Sequence, residues 1–316
     1  MPYLVPRRRV LTGLAGAGLA AGTSGILAAC GSSPAAVRTD PVSRRYGGNL
    51  RVGLTGGSSA DTLDPHKLVT AIDTSRAQTI YEPLVALDIQ ARTVQYLLAE
   101  EISPRNGSLT DWVIRLRPGV TFHDGRPLTA DDVLATFRRI INLDAPGKGF
   151  MGPVGMSATR ALDSSTVLVK LASPVADYPQ SLAAAPFDLL IVPDGFNPAK
   201  PNGTGAFRYQ SFVPGQRSMF TRNPHYWQPG LPYADSLTII DFPGTTSLAD
   251  ALMTGQVDAA GTLDPPQVPA LSTTSGINVV VSKAGRSSRS RCGSTGRPST
   301  TSGSARRCGC WWTGRR

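Results

Sequence analysis

An α/β fold, with mixed β-sheets flanked by helices, is what this sequence predicts on three observations. The stretch Arg115–Ile141 reads as strand, turn and helix in succession. Short segments of period-two apolarity alternate with segments of helical period through residues 46–282. Glycine and proline clusters punctuate them.

The strand of that corner is Trp112–Leu116, and it runs into a Pro118-Gly119 turn. Val120 and Phe122 form a second apolar pair before another turn signal, His123-Asp124-Gly125. Thr129 reads as the N-cap of a helix. Asp131 and Asp132 occupy its first turn, where the helix dipole favours negative charge. Val133, Phe137, Ile140 and Ile141 return at helical spacing and give the helix one buried face.

The other elements follow in order. Residues 48–54 alternate as a first strand, and Ile72–Leu84 reads as a helix with Asp73 or Thr74 near its cap. Asp163–Leu171 reads as one strand and Pro174–Ala184 as a short helix. Leu237–Asp241 alternates as a strand, and Ser247–Thr254 is a helix closed by Gly255.

These landmarks carry a resemblance. The run RLRPGVTFHDGRPLTADDV from Arg115 to Val133 is similar to the hallmark of the family-5 solute-binding proteins of ABC importers. Thr62-Leu63-Asp64-Pro65-His66, Tyr81-Glu82-Pro83-Leu84 and Ala99-Glu100 resemble further family motifs. So do Gly203-Thr204-Gly205-Ala206-Phe207, with Ala206 replacing the usual proline, Arg222-Asn223-Pro224-His225-Tyr226-Trp227 and Gly255-Gln256-Val257-Asp258. The resemblance implies a periplasmic-binding-protein-like fold of type II. It places a first lobe at 46–66 plus 203–282 and a small inserted lobe at 67–202. The ligand of such a protein sits between the first lobe and a third one, which is largely missing from this chain.

Charge excludes one class of partner. The 316 residues carry a formal net charge of +10, but unevenly. Tyr46 to Ser282 holds 17 Lys and Arg against 21 Asp and Glu, whereas residues 283–316 hold nine basic residues and no acidic one. A mildly acidic body is no nucleic-acid binder. Cysteine is confined to Cys30, Cys292, Cys308 and Cys310, so the body offers neither a disulfide framework nor a thiolate metal site.

Residues 1–30 read as a signal peptide. Arg7-Arg8-Arg9 precedes a run of Leu, Ala and Gly that ends in Leu27-Ala28-Ala29-Cys30. Arg7 and Arg8 resemble a twin-arginine signal, with the general export route as the alternative. Leu-Ala-Ala-Cys resembles a bacterial lipobox, which implies a lipid on Cys30 and an anchor on the outer face of the cytoplasmic membrane. A transmembrane anchor competes with that reading, although the Gly-rich segment makes a poor spanning helix. Residues 31–45, rich in Ser, Pro and Ala, read as a flexible tether.

Residues 283–316 have no periodicity and read either as a disordered basic extension or as an out-of-frame tail. Shifted by one base, Cys310-Trp311-Trp312-Thr313 yields Leu-Val-Asp whatever synonymous codons encode it. With permitted synonymous codons, residues 296–314 become R-P-P-F-D-D-V-R-V-R-K-A-L-R-L-L-V-D-R, which resembles the opening of the family's third lobe. A frame change between about 283 and 296, as a gene lesion or a sequencing error, is the sharper expectation.

No catalytic residue, metal ligand or cofactor is nominated. His123-Asp124 lies in a tight turn, and His66 and His225 lie in separate segments without metal-ligand spacing. Gly56-Gly57-Ser58-Ser59 lacks the lysine and the length of a phosphate loop. Glu100-Glu101 are neighbours in sequence, and Asp131-Asp132 are explained by helix capping. A binder needs no such groups, because it holds its ligand by strand-like hydrogen bonds and lobe closure. In the family's oligopeptide branch, the loop after the L-D-P-H-K motif reaches the ligand. The resemblance therefore nominates Lys67, Leu68, Val69, Thr70 and Ala71, with a plain loop as the alternative; Val69 stands where that branch has a carboxylate.

The function so implied is that of an exported solute-binding lipoprotein of a peptide-type ABC importer, without enzymatic activity. Its partners would be a peptide or other small solute, the permease subunits and the membrane. A remnant that binds no ligand and a secreted hydrolase with an unrecognised site are the competing functions.

Overall fold

The computed structural model describes residues 46–280, apart from 89, 90 and 262. Strand β1 (Asn49–Thr55) is shifted by one residue from its predicted span, and helix α1 (Ala71–Ile80) follows. That helix departs from the predicted Ile72–Leu84 at both ends. Thr70 caps it, its hydroxyl accepting from the Asp73 amide at 3.2 Å, which places Asp73 in the first turn, near the cap as expected. The helix stops at Ile80 because Tyr81 is extended and Glu82 precedes a proline, where helical backbone is disfavoured.

Next come β2 (Val85–Asp88), β3 (Thr93–Tyr96), β4 (Ala99–Pro104), β5 (Asp111–Leu116) and helix α2 (Ala130–Asn142). Here the predicted start is observed: Asp132 Oδ2 accepts from the Thr129 amide at 2.8 Å and fixes the first turn of α2. Val133, Phe137 and Ile140 are fully buried, each such side chain contributing about 1.5–3 kcal/mol.

The predicted strand Asp163–Leu171 is observed as β7 (Thr166–Lys170), and its first residue ends β6 (Arg160–Asp163), with which β7 pairs as a hairpin. Asp163 Oδ1 accepts from both the amide and the hydroxyl of Ser165, at 2.7 and 2.9 Å, and reverses the chain there. Helix α3 (Tyr178–Ala183) begins four residues after the predicted Pro174, since the Val175 amide is drawn to Leu109 O at 3.0 Å. The chain continues as β8 (Phe207–Val213), β9 (Arg217–Arg222), β10 (Ser236–Phe242), α4 (Thr245–Met253), β11 (Ala259–Ala260) and α5 (Val268–Thr273). Gly255, at φ +72°, closes α4 in the left-handed conformation its position requires.

Two larger sheets organise these elements. The first is mixed, in the order β11-β1-β10-β9-β8, with β1 parallel to both β10 and β11 and the remaining pairs antiparallel. The second is antiparallel, in the order β4-β5-β7-β6, and β2 with β3 forms a separate ribbon.

Each larger sheet has its own core. Helices α2 and α3 pack Phe137, Ile140 and Leu182 against Ile114, Val167 and Val169 of the four-stranded sheet. Ile72, Ile80 and Tyr81 pack with Phe220, Leu237 and Ile239 of the five-stranded sheet, joined by Leu190 and Val192. The predicted lobe boundary at residue 67 therefore does not follow the packing. Helix α1 and residues 190–192 lie inside the predicted insert yet share the core of the other sheet. Among the described residues no helix is long and apolar enough to cross a membrane.

Candidate functional site

Strands β11, β1 and β10 are adjacent and parallel, so their carboxyl ends share one rim. Open α/β sheets bind ligands in the crevice outside such ends. The Gly56 amide donates to Phe242 O at 3.0 Å and ties the loop after β1 to the end of β10. Gly57 has φ +100°, and a Cβ there would lie 2.7 Å from Asp241 Oδ2, so only glycine lets the loop lie on that carboxylate. A Cβ on Gly56 would meet Ile72 at 3.8 Å, which sets the first turn of α1 beside the same rim.

The five nominated residues run into that turn. The Lys67 amide donates to Asp64 O at 3.1 Å, and its side chain is exposed. Leu68 is half-buried against the core. Val69 is 84 % exposed. Thr70 spends its hydroxyl on the helix cap, and Ala71 is the first helical residue. Lys67, Val69 and Ala71 are thus the exposed residues of this set, and Lys67 and Val69 carry its longer free side chains.

Behind the rim lies a buried ionic cluster that the sequence did not announce. Arg76 of α1 has no side-chain exposure, and its Nη1 donates to Asp61 at 2.7 Å and to Asp73 at 3.2 Å. Its Nη2 reaches both oxygens of Asp241 at 2.5 and 2.6 Å, and its Nε reaches Ser218 Oγ at 2.7 Å. Phe212 stacks on the guanidinium at 4.9 Å. Burial pushes the Asp241 carboxyl above its ordinary range, against the pull of Arg76. Asp61 Oδ1 accepts from the Ser58 amide at 2.9 Å, so the cluster anchors the rim loop directly.

A second joint fixes the start of the nominated loop. Arg139 of α2 donates to Asp64 Oδ2 and to His66 Nδ1, both at 2.6 Å, while His66 Nε2 donates to Leu190 O at 2.9 Å. These contacts hold His66 as the neutral tautomer with its proton on Nε2. Burial keeps that imidazole down at about 4. His66 is therefore a strut between the two cores.

A third joint gathers four of the sequence motifs. Glu82 is buried and accepts from Thr204 Oγ1 at 2.9 Å, Tyr226 Oη at 2.7 Å and Trp227 Nε1 at 2.9 Å. The Gly205 amide donates to Ile80 O at 2.8 Å, and a Cβ on Gly205 would fall 2.6 Å from Thr79 O. His123 Nε2 and Asn223 Nδ2 both donate to Gly205 O, at 2.9 and 3.1 Å. His123 thus serves the fold, and burial holds it at about 4 as well. Among the described residues no group of three or more His, Cys, Asp or Glu side chains could hold a metal ion. Arg7, Arg8 and Cys30 lie outside the described residues, as do residues 283–316.

With the geometry in place, comparison with known proteins decides the family. The family model described as bacterial extracellular solute-binding proteins, family 5 Middle, matches residues 93–294. The chain belongs to the family-5 solute-binding proteins. The glutathione-binding protein GsiB of Salmonella typhi is 28% identical over 235 residues, which are 72% of this chain and 45% of that protein. This family-5 chain thus spans about half the length of the curated relatives it matches.

Solved structures show the same fold. The ABC transporter substrate binding protein CtaP of Listeria monocytogenes superposes with a TM-score of 0.64 at 21% identity, over 75% of this chain and 49% of that one. The periplasmic binding protein DppA of Helicobacter pylori, in complex with the peptide STSA, gives 0.61 at 23% identity, over 72% and 49%.

Proposed function

We propose that this chain belongs to the solute receptor of a peptide-type ABC importer. In that role it captures a peptide or a similar small solute outside the membrane and hands it to the permease, making and breaking no covalent bond. The observation that carries this reading is the glycine-lined rim at the ends of three parallel strands, in a chain of the family-5 solute-binding proteins. The relatives' own names, a glutathione-binding protein and a complex with a four-residue peptide, favour short peptides as the solute class. Exposed Lys67 and Val69 beside the rim would touch the ligand. The lobe division of the sequence reading, with its boundary moved to keep α1 on the five-stranded sheet, goes with this function.

Thermal unfolding in the presence of short peptides, glutathione and a nickel chelate tests the receptor role. A ligand at a hundredfold its Kd stabilises a binder by about 2.7 kcal/mol. The reading fails if none of these solutes raises the midpoint of either this chain or a form carrying the neighbouring frame after residue 283.

Anchoring is part of the same proposal: a lipid on Cys30, following export directed by Arg7 and Arg8, would hold the receptor at the outer face of the cytoplasmic membrane. Two or more acyl chains anchor stably where one does not. A Cys30→Ala protein should leave the membrane fraction and lose label from radioactive palmitate. Undiminished label would rule the anchor out.

The tail supports a second reading. Residues 296–314 resemble the family's continuation only in the neighbouring frame, so this chain would be a remnant that binds nothing while its frame-corrected form binds. Resequencing decides it: codons that do not give that peptide in the other frame end the idea.

A further inference from the structure

Three carboxylates surround one guanidinium behind the rim. Asp61, Asp73, Asp241 and Arg76 have side-chain exposures of 0 or 1 %, so water screens none of them. One positive charge against three negative ones leaves an excess of two. Asp73 stands in the first turn of α1, where the helix dipole supplies about half a unit of positive charge. More than one negative charge stays uncompensated in a dry interior, and carboxylates crowded in such a site do not all ionise.

A second observation locates the deficit. Asp73 Oδ2 is buried and receives no hydrogen bond from the described residues, although Asp73 Oδ1 accepts from both the Thr62 amide and Arg76. The other contacts around the cluster, among the described residues, come from uncharged groups. Strand β9 supplies the Ser218 hydroxyl, β8 the ring of Phe212, the loop before β9 the Gly215 amide and the loop after β1 the Ser58 amide. These four are uncharged, and the charged groups in contact are Asp61 from the rim loop, Asp73 and Arg76 from α1, and Asp241 from β10.

We propose that the folded chain retains one proton within the Asp61–Asp73–Asp241 cluster at neutral pH, and that this proton holds the rim loop in place. The link is direct, since Asp61 binds the Ser58 amide at 2.9 Å and Gly57 lies against Asp241. Loss of the proton sets two like charges against each other under that loop. The rim is then firm in weakly acidic solution and loosens as the medium turns alkaline.

Urea unfolding of the 316-residue chain between about pH 5 and pH 8, beside Asp73→Asn and Asp241→Asn, tests this. Each variant removes one negative charge with little change of shape. Glu82→Gln serves as the control, a buried carboxyl outside the cluster that no cationic side chain hydrogen-bonds. Over the pH range in which the folded chain keeps the cluster proton and the unfolded chain has lost it, the folding equilibrium constant of the parent should fall by up to tenfold per pH unit relative to the Asp73 and Asp241 variants, and the fall should stop once the proton has left. Glu82→Gln removes the pH dependence of Glu82 itself, and should keep the part of the slope that the Asp73 and Asp241 variants lose. Parallel pH profiles for parent and cluster variants would overturn the proposal. Should both cluster variants fail to fold, infrared spectra of the parent and of Glu82→Gln at neutral pH still decide. A protonated-carboxyl C=O band present in both supports the retained proton, and a band absent from Glu82→Gln refutes it.

Discussion

Tyr226 Oη donates to Glu82 Oε1 at 2.7 Å, joining residues 144 positions apart in the chain. Trp227 and Thr204 complete the same carboxylate, so the Y-E-P-L, G-T-G and R-N-P-x-Y-W motifs meet at one buried oxygen pair. All three donors are neutral, and Arg117, whose charge acts on Glu82 without a hydrogen bond, stacks on the Trp227 ring at 4.8 Å. The motifs that identify the family are, in this chain, one structural knot between the two cores.

Glu82→Gln should cost about 1–3 kcal/mol, because the amide sets N–H groups against donors that need an acceptor. Burial raises the Glu82 carboxyl in the folded chain. Its contribution is therefore fully present at low pH and declines as pH rises through the folded value. The penalty of the glutamine variant should accordingly be larger in acid than at neutrality. Urea unfolding followed by Trp fluorescence reads both.

The histidines set the acid side. His66 and His123 are each held at about 4, against an ordinary 6.5. Between those values the unfolded chain binds more protons than the folded one. Stability is then full above about pH 6.5 and is lost as pH falls towards 4, by at most roughly 3 kcal/mol per histidine. His66→Gln should flatten part of that slope, read as the pH dependence of the urea midpoint.

Close approach makes the G-T-G segment intolerant. A Cβ on Gly203 would overlap Ile80 O, and one on Gly205 would sit 2.6 Å from Thr79 O. Neither glycine has positive φ, so the constraint is space and not backbone conformation. Gly205→Ala should destabilise by about 1–3 kcal/mol through overpacking, measured by thermal unfolding.

Local elements were legible where one stretch carries its own instructions. Thr129 with Asp132, and Gly255 after α4, announce helix ends through residues three apart or one position long. Asp163 with Ser165 carried an equally local instruction, which strong flanking alternation hid. What stayed illegible is convergence across the chain. Arg76 looks like a surface residue of a polar helix, yet its partners come from residues 61, 218 and 241. Periodicity reports which face of a helix is apolar. It cannot say that a distant carboxylate will meet a buried guanidinium.

Val69 is the place where the ligand question and the stability question separate. It is 84 % exposed and precedes the cap of α1, so Val69→Asp removes almost no packing and should change stability by less than about 0.5 kcal/mol. The new carboxylate would stand beside the rim, where an exposed pair is worth about 0.2–1 kcal/mol. A peptide with a free amino end should therefore bind up to roughly fivefold tighter to the variant, and the gain should shrink as salt is added. Calorimetric titration at two salt concentrations measures it. An affinity that gains nothing, in a variant of unchanged stability, would mean that the loop from Lys67 to Ala71 lies away from the ligand's amino end.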